Sequence, residues 1–138
     1  MKLLKIIFFL SIITTQSLAN NDFFNQGLVL YQKDDLKKAK FKFEQDLVLN
    51  PKNEKSYLYL SKIFNSQKKK NLEEQNLNSV ILLNPTNEEA IYYLSKLMLD
   101  KSDYKESERL VNQLLSFCKN FCQQSKNLKI KIDNSKKK

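Results

Sequence analysis

The sequence predicts an all-α fold, a solenoid of three stacked helix-turn-helix units closed by a C-terminal capping helix. Two observations carry this. Leu49-Asn50-Pro51-Lys52-Asn53-Glu54 recurs as Leu83-Asn84-Pro85-Thr86-Asn87-Glu88, and each copy is followed by a Tyr-Leu-Ser-Lys run, at Tyr59 to Lys62 and Tyr93 to Lys96, all at an offset of 34 residues. A fixed offset of roughly 20 to 50 residues marks one supersecondary unit stacked on copies of itself, because a single unit cannot bury its own apolar face. Each Asn-Pro also supplies a stop, since proline cannot continue a helix.

In chain order, residues 1–19 precede the array and read as a signal peptide. Lys2 and Lys5 stand before the apolar run Ile6 to Ile13, and Ser17-Leu18-Ala19 places small residues where a signal peptidase reads. A membrane span needs about 20 apolar residues, and Thr14, Thr15 and Gln16 interrupt this run, so cleavage after Ala19 is expected rather than retention as an anchor. That cut leaves Asn20 as the first residue of the first repeat.

Counting back from each Asn-Pro divides the array into units 20–53, 54–87 and 88–121. The first carries Phe23-x2-Gln26-Gly27-x2-Leu30, then Ala39-x3-Phe43, then Pro51. This pattern resembles the tetratricopeptide repeat (TPR), in which apolar residues stripe the first helix and small residues let the two helices cross closely. The resemblance covers about residues 20–121 and implies a right-handed superhelical solenoid. Units two and three depart from it: Ser61 and Ser95 stand at the Gly27 position, Glu73 and Ser107 at that of Ala39, Leu77 and Val111 at that of Phe43, and Lys119 replaces the third proline. Glu73 at a tight helix crossing is the largest departure.

Cys118 and Cys122 lie where the third unit should turn. In an oxidising compartment such a pair is expected to join, and a spacing of four bridges readily only if the helix ends there, so the pair reads as a staple between the third unit and the C-terminal segment. A redox switch is the competing reading, although switches ordinarily place two residues between their cysteines rather than three. That segment, 122–138, is expected to be a capping helix with a basic disordered tail from Asn134. Leu128 and Ile132 occupy the positions that the first helix of a fourth unit would use, while the alternation Leu128-Lys129-Ile130-Lys131-Ile132 also fits a strand. The whole layout resembles short exported bacterial TPR proteins that end in a Cys-x3-Cys pair and a lysine-rich helix.

Composition excludes several chemistries. The chain has no histidine, hence no Ser-His or Cys-His nucleophile and no usual zinc ligand, and its only glycine, Gly27, leaves no Gly-rich phosphate loop. Asp34-Asp35, Glu73-Glu74 and Glu88-Glu89 each fall near a helix start, where carboxylates complement the helix dipole. No catalysis, metal or cofactor is therefore expected. The formal charge of +9 divides unevenly: residues 20–118 hold 15 basic and 14 acidic side chains, and residues 119–138 hold seven lysines against Asp133. With Arg109 the only arginine, the forked donors that read phosphate are missing, so nucleic acid is not an expected partner. Weak contact of the lysine tail with an anionic membrane surface stays open.

A TPR array binds partners on its concave wall. Carrying the family's inner positions over implies a groove of Phe24, Leu28 and Tyr31 from unit one, Leu58, Tyr59 and Lys62 from unit two, and Tyr92, Tyr93, Lys96 and Leu99 from unit three. Phe24 and Leu58 read equally well as packing between units. Chaperone-binding TPRs clamp a terminal carboxylate with lysine and asparagine, but those positions here hold Phe24, Leu28, Tyr59, Glu89 and Tyr93, so that partner class is not implied. An apolar, tyrosine-rich groove suits an extended peptide or a partner helix. The resulting expectation is an exported, periplasmic, non-catalytic adaptor for a protein or peptide segment. An envelope-associated scaffold using the lysine tail, and a redox-responsive binder using Cys118 and Cys122, are the alternatives.

Overall fold

The computed structural model describes residues 22–137 and contains seven α-helices, with no strand among the described residues. They are α1 (Phe23–Gln32), α2 (Leu36–Leu49), α3 (Glu54–Ser66), α4 (Lys70–Leu83), α5 (Glu88–Asp100), α6 (Tyr104–Leu115) and α7 (Cys122–Ser135). The pairs α1/α2, α3/α4 and α5/α6 form three hairpins, α2 and α4 each also pack on the next helix in the chain, and α7 closes the stack on α6. The signal-peptide segment 1–19 lies outside the described residues.

The 34-residue period is visible in the backbone as well as the sequence. Each hairpin turns through one left-handed residue, at Asp34, Lys68 and Ser102, with φ of 59°, 56° and 62°. No glycine serves these turns. The next residue caps the second helix: Asp35 accepts from the Lys38 backbone N–H and Asp103 from that of Glu106, but Lys69 makes no capping bond. Replacing Lys69 with aspartate is therefore expected to raise the unfolding free energy by about 1 kcal/mol, the usual value of a restored cap. Chemical denaturation checks it, and an unchanged midpoint would mean that the α4 terminus is already solvated well enough.

Packing explains why the first helix of a middle repeat is apolar on several faces. In α3, Leu60, Ile63 and Phe64 join Ala39 and Phe43 in a cluster beneath the first repeat, while Leu58 points into a second cluster with Leu77, Val80, Ala90 and Ile91. A helix held between its own partner and the preceding repeat must bury two stripes rather than one. At the tight crossings the small residues do what the pattern demands. A Cβ on Gly27 would stand 2.7 Å from the ring of Phe43, and the buried Ser95 and Ser107 hydroxyls each donate to the other's backbone carbonyl at 2.7 Å.

The C-terminal segment is helical through Ser135, not a strand and not disordered from Asn134. Leu128 and Ile132 lie one turn apart and are buried against Val111, whereas Ile130 is 58% exposed, the outcome of a 3.6-residue rather than a two-residue period. Ion pairs hold the last turns down. Glu108 on α6 accepts from Lys129 at 2.5 Å and from Lys136, and together the two ammonium groups hold its carboxyl down at about 2.

Candidate functional site

The first helices of all three repeats meet around one cavity of about 380 Å³. Tyr31 comes from α1, Ser61, Lys62, Asn65 and Ser66 from α3, Glu73 from α4 and Tyr93 from α5. Because the lining spans three consecutive repeats, its shape depends on how the repeats stack.

Electrostatics inside the cavity are set by two carboxylates. Lys62 reaches across the repeat boundary to Glu89 at 2.8 Å and lies over the Tyr59 ring at 4.9 Å. Burial works against its charge, but the bond to Glu89 and its negative charge outweigh that and hold the ammonium above its ordinary value. Tyr93 is pushed up by burial and by the Glu89 charge, with Lys62 opposing. Glu73, at the small-residue crossing of repeat two, is only 4% exposed. Its carboxylate accepts from the Asn65 side-chain amide at 2.9 Å. Burial pushes that carboxyl above the usual range, the Asn65 bond and the charges of Lys96 and Lys70 pull it back, and Asp100 adds to the rise. The sequence pattern marks Glu73 as an anomaly, and nothing in it shows that the side chain turns into a cavity.

Of the ten residues expected along the groove, three line this cavity: Tyr31, Lys62 and Tyr93. Leu58 is 8% exposed within the second core cluster and presents no surface. Tyr59 is a wedge between repeats one and two, stacked on Phe43 at 5.2 Å and edge-on to Tyr31 at 5.0 Å and to Phe24 at 6.0 Å. Phe24 packs on the same cluster, and Leu28 is half-buried. Tyr92 is packed between Tyr93 and Phe121, Leu99 lies against the cap cluster, and Lys96 is exposed.

Two acidic side chains fix the joints: Asp46, and Glu88 at the end of the second Asn-Pro segment. Asp46, 3% exposed, accepts from Asn50 at 2.9 Å, from Asn53 at 2.6 Å and from Ser56 at 2.5 Å, tying the end of α2 to the start of α3. Glu88 accepts three backbone N–H groups, of Lys119, Asn120 and Phe121, each at 2.9 Å. Those bonds, that of Phe121 foremost, hold its carboxyl below the usual value. The loop they grip is the one closed by Cys118 and Cys122, whose sulfurs are joined with Cα atoms 5.3 Å apart. In the preceding repeat, Glu54 instead accepts from the Asn84 side chain at 3.2 Å, so the cysteine loop stands where the earlier joint has an asparagine. The pair bridges the connection between α6 and α7.

No protein-family model matches the chain, nor does any curated protein. Solved structures do. The chain is similar to the first TPR of Spaghetti (RPAP3) bound to an HSP90 peptide, at a TM-score of 0.75 and 15% identity over 84% of this chain and 91% of that one. It is similar to the Yersinia enterocolitica type III secretion chaperone SycD in complex with a peptide of the translocator YopD, at 0.75 and 14% over 83% and 92%. PcrH in complex with the chaperone binding region of PopD gives 0.74 and 13% over 83% and 90%. At such identities the likeness is one of fold, and the fold is that of the TPR solenoid domains.

Proposed function

We propose that this protein is a non-catalytic adaptor that holds a peptide segment of a partner protein in the groove formed by α1, α3 and α5, and that it works after export from the cytoplasm. The observation that supports it most is the cavity lined by Tyr31, Lys62 and Tyr93, contributed by three successive repeats, in a fold of which three similar solved structures hold a peptide or a binding region of a partner. Tyrosines of this kind supply contact area at low entropic cost together with a polar tip. The signal-like start of the sequence and the joined cysteines are both what an oxidising, exported location would favour. Part of the lysine tail that the scaffold reading would use is already engaged, since Lys129 and Lys136 pair with Glu108.

The decisive test uses a partner captured from an envelope extract with the chain starting at Asn20, and then calorimetric titration. Changing Tyr31 and Tyr93 together to alanine is expected to weaken binding by about 2 kcal/mol, the range of buried aromatic anchors. Each ring also has one aromatic neighbour, Tyr59 for Tyr31 and Tyr92 for Tyr93, so Tm falls somewhat in that variant. Tyr59→Ala should lower Tm and leave binding unchanged, since its ring packs on Phe24, Tyr31 and Phe43 between repeats. Unchanged binding in the Tyr31/Tyr93 variant would overturn the groove assignment.

A further inference from the structure

We infer that the cavity takes a cationic side chain of the bound segment, arginine above all, with Glu73 as its counter-ion; this rests on the groove reading above and specifies its chemistry. Four side chains around the cavity are already engaged as donors: the Ser61 hydroxyl donates to the Leu58 carbonyl at 2.7 Å, the Ser66 hydroxyl to that of Ile63 at 2.7 Å, the Asn65 amide to Glu73, and Lys62 to Glu89. The lining also holds acceptors, namely the serine oxygens, the Asn65 carbonyl and the carboxylate of Glu73. With the Lys62 charge matched by Glu89, the Glu73 carboxylate makes the lining suit a ligand rich in donors better than one that brings a carboxylate.

Charge points the same way. Glu73 is more than nine-tenths buried, lines the cavity, and has one hydrogen bond and no ion pair among the described residues. Lys62 stands in the same space, but its charge is matched by Glu89. Of the other charged groups near Glu73, Lys70 donates to the Asp100 backbone carbonyl at 3.1 Å, and Lys96 is exposed on α5. A buried carboxylate without a cation is costly, and the cost is removed when a cation enters. Tyr31 and Tyr93 both line the cavity, and an aromatic ring is a surface on which a planar guanidinium can lie; its five donors also suit several acceptors at once, which an ammonium group matches less well.

The test uses the chain starting at Asn20 and two probes of the same shape, N-acetyl-arginine amide and its neutral counterpart N-acetyl-citrulline amide, each titrated by NMR. The arginine probe is expected to shift resonances of residues 61–66, Glu73 and Tyr93, and to bind at least about tenfold more tightly than citrulline, as a charge-assisted bond in a partly dry site requires. Glu73→Gln keeps the size and the Asn65 contact while removing the charge, and should abolish that preference without lowering Tm. Equal binding of the two probes, an unchanged preference in Glu73→Gln, or no shift at the cavity would each overturn the inference. The captured partner separates this inference from the groove reading: binding lost in the Tyr31/Tyr93 variant but kept in Glu73→Gln leaves the groove and removes the cation, and binding kept in both removes both.

Discussion

Replacing Phe43 with alanine is expected to lower the unfolding free energy by about 3–5 kcal/mol, the cost of deleting a large ring from a site that cannot collapse. The ring is fully buried, stacks on Tyr59 and touches Phe24 across the hairpin, so it joins both helices of repeat one to the first helix of repeat two. Gly27 probes the same contact from the other side. Alanine there gains about 1 kcal/mol of helix propensity, but its Cβ would lie 2.7 and 2.8 Å from two ring carbons of the fully buried Phe43, a net loss of about 1–2 kcal/mol. Denaturant titration measures both. Because solenoid stability is a sum of local and nearest-neighbour terms, hydrogen exchange should quicken in α1 and α2 well before α5 and α6. A Phe43→Ala protein that loses less than about 1 kcal/mol would mean that the ring is not the peg of this joint.

The same contact shows why so much of the fold was legible. Gly27, Ala39 and Phe43 are where the helix crossing dictates them, and a 34-residue period fixes each equivalent position in the copies. The period says which position a residue occupies, but it does not say what that position faces. Tyr59 and Tyr93 share a register, yet Tyr59 meets the rings of Phe24, Tyr31 and Phe43 while Tyr93 borders open space. Leu58 and Tyr92 share another, and one is core while the other leans on Phe121 in the cysteine loop. Glu73 was visible only as a misfit, because whether a long side chain at a small-residue site breaks the crossing or escapes it depends on an outlet, here the space beside Asn65. Glu88 reads in the sequence as a helix-start carboxylate, and its grip on three backbone N–H groups required the shape of a loop that no helical period describes.

Asp46→Ala is expected to cost about 3 kcal/mol, more than a surface acid could, because it leaves donors of Asn50, Asn53 and Ser56 facing a vacancy. Ser56 suffers most, being fully buried, whereas the two asparagines can turn toward water. The chain supplies its own control for this joint. One period later the corresponding residues are Val80 and Ala90, both fully buried, so the second joint packs by apolar contact what the first holds by hydrogen bonds. Importing that pair as Asp46→Val with Ser56→Ala should recover most of the loss, since replacing a satisfied buried polar cluster with apolar groups of similar volume is often close to neutral. Single variants would then be strongly non-additive, the signature of residues that share one network. If the double variant is as unstable as Asp46→Ala alone, the asparagines rather than Ser56 are the donors that matter. The joint's rigidity would then come from the Asn50 to Asn53 turn, which both boundaries share.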